Sequence, residues 1–196
     1  MKIINARLRH KPELYTVTIA DGKFSAIQTQ QGELAAQDGD TDAGGNLLCA
    51  PFVEPHIHLD AALTAGEPAW NQSGTLFEGI ERWGERKPLL SEDDIRSRAM
   101  ATIELLVQNG VQAIRTHADT TDPSLIGVKT LCAIRDELKD KITLQVVAFP
   151  QDGMMASAEA TRQMEEALEI GCDVVGGIPH FEYTRELGEQ SVKHLL

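Results

Sequence analysis

Apolar residues recur along this chain in two rhythms. Up to about residue 50, the segments Lys2 to Leu8, Leu14 to Ala20 and Lys23 to Thr29 alternate apolar and polar positions, the period-two pattern of strands with one buried face. Asp21-Gly22, between the last two, is a hairpin signal because both residues accept a positive φ. The stretch from Gln31 to Asn46, rich in Gly, Asp, Gln and Ala, reads as a turn or loop. Residues 1–50 are therefore predicted to form a small antiparallel β module.

From residue 47 the rhythm changes to short apolar strands alternating with helical segments, the pattern of βα units around a parallel sheet. The predicted strands are Leu48 to Val53, Val111 to Thr116, Thr143 to Phe149 and Asp173 to Ile178. Ser91 to Asn109 reads as a helix, with Ser91 as N-cap, an apolar stripe of Ile95, Ala99, Ile103 and Leu106, and Gly110 as terminator. A second helix is predicted from Asp122-Pro123 to about Leu138, a third from Ser157 to Ile170, stopped by Gly171, and a fourth from near Thr184. The last three strands start about 30 residues apart, the repeat of a (β/α)8 barrel, and the longer first step leaves room for an inserted loop and helix around Leu63 to Arg86. Four such units make half a barrel, and a closed barrel needs about 250 residues where this chain has 196.

Charge removes some classes of function. There are 18 Lys+Arg against 30 Asp+Glu, a formal net charge of -12, with no basic run, so neither nucleic acid nor an anionic membrane surface is an expected partner. No run approaches the roughly 18 apolar residues of a membrane span. Three scattered cysteines without a CxxC suit a reducing compartment, and a cytoplasmic location is expected. No glycine-rich phosphate loop is present, nor the H-x-E and P-C-x-x-C pair of the zinc deaminases that act on nucleosides or nucleic acid.

The chemistry concentrates at Pro51-Phe52-Val53-Glu54-Pro55-His56-Ile57-His58-Leu59-Asp60. Side chains alternate across a strand, so His56 and His58 point to one side and can share a divalent metal at the carboxyl end of a parallel strand, where barrel active sites form. On spacing alone, two solvated loop histidines give the same pattern. His117 and His180 follow the second and fourth predicted strands and are candidates close to the same mouth, with a structural role for His117 as the alternative. His10 and His194 read as surface residues, Glu92-Asp93-Asp94 as first-turn charge favourable to the helix dipole, and Trp70 and Trp83 as part of a lid or of core packing.

The run PFVEPHIHLD resembles the first-strand signature of the amidohydrolase superfamily. NQSGTLFEGIERWGERK at Asn71 to Lys87, RTHAD at Arg115 to Asp119, QVVAFPQDG at Gln145 to Gly153 and DVVGGIPHFEYTRE at Asp173 to Glu186 are similar, in the same order, to successive blocks of bacterial cytosine deaminases. The resemblance covers nearly the whole chain. It implies residues 1–50 as the N-terminal part of a small β-sandwich module and residues 51–196 as the first half of the (β/α)8 TIM barrel. It also implies an iron or zinc ion held in part by His56 and His58, Gln151 reading the amide edge of a small-molecule heterocycle, Leu76 lining the pocket, and a homo-oligomeric enzyme.

The same resemblance implies later ligands and proton-shuttling groups on strands beyond the fourth, so no catalytic acid or base is expected among these residues. Two histidines fall short of the three protein ligands usual at a catalytic zinc. The chain is therefore expected to act as an N-terminal fragment, inactive alone and in need of a complementary C-terminal half. Hydrolysis of another heterocyclic amine, such as a triazine, and a non-catalytic truncated remnant are the alternatives.

Overall fold

The computed structural model describes residues 1–155 and 157–196. Two compact units, Met1–Ala50 and Pro51–Leu196, account for these residues. Among them no helix is long and apolar enough to cross a membrane.

The first unit is a four-stranded sheet, in the order β3-β2-β1-β4, built from β1 (Lys2–Arg7), β2 (Leu14–Ala20), β3 (Lys23–Thr29) and β4 (Asp40–Asp42). Asp21 and Gly22 turn at φ 51° and 70°, the doubly positive geometry that matches the twist of a two-residue hairpin. The expected all-antiparallel module is corrected in one respect: β4 lies parallel to β1, inside the stretch predicted as loop. Asn5 explains how. In the bulge of β1 it takes a left-handed φ of 54°, which asparagine tolerates, and its buried amide donates to Leu34 O at 2.9 Å and Asp42 Oδ1 at 2.8 Å. That bonding pulls the polar stretch onto the strand without any hydrophobic alternation.

The second unit is a parallel sheet, β5-β6-β7-β8, whose strands alternate with helices along the chain: the first four βα units of a TIM barrel. Its strands are β5 (Phe52–Ile57), β6 (Val111–Asp119), β7 (Thr143–Phe149) and β8 (Val174–Val175). The helices are α1 (Leu76–Arg86), α2 (Glu92–Gln108), α3 (Ile126–Leu138), α4 (Ala158–Ile170) and α5 (Arg185–Leu195). Ile103, Ile114, Leu131, Leu144, Val146 and Met164 belong to the core between sheet and helices. Ser91, Ser157 and Thr184 each accept an N–H from the first turn that follows, so the predicted starts of α2, α4 and α5 hold.

Four boundaries differ from expectation, and one is that of β6, which runs past the predicted Thr116 to Asp119, so that His117 lies inside the strand and not after it. Leu48 donates its N–H to Arg7 O at 2.8 Å and so pairs within the first unit; β5 starts at Phe52, whose N–H donates to Gly110 O, which puts His56 inside the strand. Helix α3 begins at Ile126 because the Asp122 carboxylate closes a turn of its own on Ser124 and Ile126, and buried Leu125 sits at φ 51° before the helix proper. Strand β8 ends early, where Gly176 brings its backbone so close to β7 that a Cβ would stand 2.8 Å from Val147 Cγ1.

Candidate metal and substrate site

The carboxyl end of β5 delivers the two histidines of the HxH. His56 is exposed and His58 half-buried, and their ring centroids stand 5.4 Å apart with the planes tilted by 53°. Burial, then the neighbouring His56, pushes the pKa of His58 below its ordinary value, which keeps the ring in the neutral form that can ligate a cation. Two imidazoles on one face fit part of the ligand set of iron or zinc. Among the described residues no group of three or more His, Cys, Asp or Glu is arranged to hold a metal ion. Two histidines by themselves fall short of the three protein ligands usual at a catalytic zinc.

Behind the pair lies His117 of β6. Its ring stacks on that of His56 at 3.9 Å and 16°, and stands 5.6 Å from that of His58. Its Nδ1 is buried without a hydrogen-bond partner, and burial followed by the charges of His56 and His58 pushes its pKa down to about 4. Phe149, at the end of β7, meets His58 and His117 edge-on at 5.5 and 5.4 Å. The histidines are thereby fixed between a strand and an aromatic wall.

A cavity of about 560 Å³ opens over this face, and its lining includes His56, His58, Leu76, Phe149, Gln151 and His180. All the sequence-predicted site residues except His117 therefore share one cavity, while His117 packs beneath it. His10 and His194 are exposed and lie elsewhere. Leu76 is the first residue of α1, placed by Thr75 as N-cap and by Glu78, whose carboxylate accepts the Gln72 and Ser73 N–H groups at 3.0 and 2.6 Å. Gln151 follows β7 in a loop that Glu182 holds, its carboxylate accepting Met154 N–H at 2.8 Å and Met155 N–H at 3.2 Å.

Trp83 lines the same cavity, whereas Trp70 is exposed and is not part of that lining. The Trp83 Nε1–H donates to Asp119 Oδ2 at 2.7 Å. Asp119 and Phe149 escaped the sequence reading as site residues, although each closes its strand at the carboxyl end, where such residues collect.

Comparison with known proteins agrees with this geometry. The amidohydrolase family profile matches residues 41–170. The chain is 30% identical over 181 residues to N-isopropylammelide isopropyl amidohydrolase of Pseudomonas sp. (strain ADP), covering 90% of this chain and 44% of that one. The 5-methylcytosine deaminase of Klebsiella pneumoniae, solved with 5-fluorocytosine, superposes with a TM-score of 0.96 at 53% identity over 100% of this chain and 47% of that one. N-isopropylammelide isopropylaminohydrolase of Burkholderia multivorans shares the fold, with a TM-score of 0.67 at 23% identity over 89% of this chain and 44% of that one. The chain spans about half the length of these relatives.

Proposed function

The chain belongs to the amidohydrolase family, and on that footing we propose that it supplies the first part of the active site of a metal-dependent deaminase. The enzyme would convert cytosine, or its 5-methyl derivative, and water to the 4-oxo pyrimidine and ammonia, a step of pyrimidine salvage. The observation that carries this reading is the convergence of His56, His58, Leu76 and Gln151 on one cavity. The likeness to a 5-methylcytosine deaminase supports the choice of substrate.

His56 and His58 would hold an iron or zinc ion together with ligands from strands this sequence does not contain; the ion, when bound, makes water nucleophilic near neutral pH. Imidazole suits either metal. The Gln151 carboxamide offers a donor and an acceptor to the amide edge of the base, so it orients the ring carbon that loses its amine. Leu76 and Phe149 give that ring an apolar enclosure. The proton-shuttling groups would come from the later strands as well. The 196 residues alone are accordingly expected to be inactive and to need a complementary C-terminal half. The same reading goes with a cytoplasmic homo-oligomer and a small-molecule substrate.

The test is ammonia release from cytosine and 5-methylcytosine by this chain together with a separately expressed C-terminal half, loaded with iron or with zinc. Turnover is the expected result. No turnover by a folded, metal-loaded complex sinks the reading. A second reading, hydrolysis of another heterocyclic amine such as a triazine, is favoured by the likeness to the N-isopropylammelide amidohydrolase. A kcat/KM at least about tenfold higher on a triazine than on cytosine, a margin of about 1.4 kcal/mol, would establish it instead.

A further inference from the structure

Lys87 stands outside the cavity lining, yet its side chain joins the end of α1 to the end of β6 and to the loop that carries Gln151. It begins the short 3-10 turn Lys87–Leu89 that follows α1, with its side chain 12% exposed. Its Nζ reaches Asp119 Oδ2 at 3.3 Å, donates to Thr121 Oγ1 at 2.9 Å, and pairs closely with the Asp152 carboxylate. Asp119 ends β6 and is the acceptor for Trp83 Nε1–H; Asp152 is the residue next to Gln151. The Thr121 N–H and hydroxyl both donate to Asp119 Oδ1, at 2.7 and 2.5 Å.

These contacts are electrostatically interdependent. Asp119 is 3% exposed, and one ammonium serves both its carboxylate and that of Asp152. Without that charge the buried Asp119 carboxylate loses its counter-ion while a second carboxylate stays close by, and a buried charge stripped of its partner is strongly destabilised. Burial opposes the Lys87 charge, but Asp119 and then Asp152 outweigh it and hold its pKa above the ordinary lysine value. The Asp152 side chain is 46% exposed and can turn towards solvent, whereas Asp119 is held in a strand. Loss of the ammonium should therefore move the loop, and Gln151 with it.

We propose that Lys87 is a positioning residue for the substrate pocket, tying the loop that carries Gln151 to Asp119, the carboxylate that accepts the indole N–H of Trp83 in the wall of the same pocket. The proposal rests on the reading of Gln151 as the residue that orients the base. It predicts a defect in binding, since a displaced carboxamide weakens ground state and transition state alike.

Two measurements on Lys87→Met, Lys87→Arg and Asp152→Asn test it. In the metal-loaded complex of this chain with its C-terminal half, Lys87→Met and Asp152→Asn should raise KM for cytosine by at least about tenfold with kcat within about threefold of wild type. Lys87→Arg, which keeps the charge, should recover most of that loss. A purely structural lysine would lower kcat through the folded fraction and leave KM alone, which overturns the proposal. By hydrogen exchange of the 196-residue chain, the amides of Gln151 to Met155 should lose at least about tenfold of their protection in Lys87→Met and in Asp152→Asn, with α3 unchanged. Unchanged loop protection, or an equal loss in α3, overturns the proposal. Should Lys87→Met not fold, Asp152→Asn decides, because its side chain is 46% exposed and its loss strands no deeply buried charge. Absence of turnover in the wild type would refute the proposed function, and the exchange measurement would then decide the role of Lys87 by itself.

Discussion

At the scale of single residues, Glu78 shows how the mouth is held. Its carboxylate accepts the hydroxyl of Ser73 at 2.5 Å as well as the Gln72 and Ser73 N–H groups, and these bonds, the Ser73 hydroxyl first, pull its pKa down to about 2. A carboxyl whose folded pKa lies below its unfolded value stabilises the native state above the unfolded pKa, and that contribution fades as pH falls through the folded one. The turn before α1 should thus keep its exchange protection at about pH 5 and lose it towards pH 2, while Glu78→Gln is loose at both. Equal protection of wild type and variant at about pH 5 would refute this. The histidines invite a different measurement. Replacing His56 or His58 by Asn should lower the iron or zinc content of the complete enzyme, measured by plasma emission after dialysis, by at least about tenfold, in line with the loss of one ligand from a small set. Replacing His10 or His194, both exposed, should leave metal content unchanged.

Elements respond to the backbone's closest approaches. Gly188 in α5 packs so tightly on the turn that bears His180 that a Cβ would lie 2.5 Å from Pro179 O, a backbone atom that cannot rotate away. Gly188→Ala should cost about 1–3 kcal/mol in urea unfolding. Gly84, in α1 with open space around it, provides the contrast: Gly84→Ala should add about 0.5–1 kcal/mol from helix propensity alone. The same distinction explains what could be read before the structure. Helices α2, α4 and α5 were legible because their caps are local, one side chain accepting one N–H three residues on. Strand β4 and the start of β5 were not, because bonds from Asn5 and Arg7 to distant residues decided them against local pattern. Of the residues that line the cavity, His56, His58, Leu76, Gln151 and His180 were legible from strand ends and family resemblance. Lys87 and Asp119 were not, since nothing in spacing tells that a lysine after one helix meets carboxylates 32 and 65 residues away; their partnership is tertiary alone.

Across the whole second unit the sheet order is β5-β6-β7-β8, and the two outer strands are each paired on one side only among the described residues. Phe52 and Val53 on β5 are both 63% exposed, and Leu76 and Phe77 at the head of α1 are exposed as well. An unpaired strand edge with apolar side chains is a template for another chain, and parallel barrels remove it by closure. On the proposed function, the two-histidine ligand set and the open sheet edge are two expressions of the same geometry: strands that would complete the metal site are also strands that would pair with β5 and β8. Expressed alone, the 196 residues should bind a hydrophobic dye and self-associate with concentration in light scattering. Mixed with a C-terminal half from a related deaminase, they should lose both properties and gain tight iron or zinc binding at the same stoichiometry. A monodisperse, dye-silent monomer that binds no metal more tightly after mixing would show that the edges are protected in another way and would break the link between closing the sheet and completing the site.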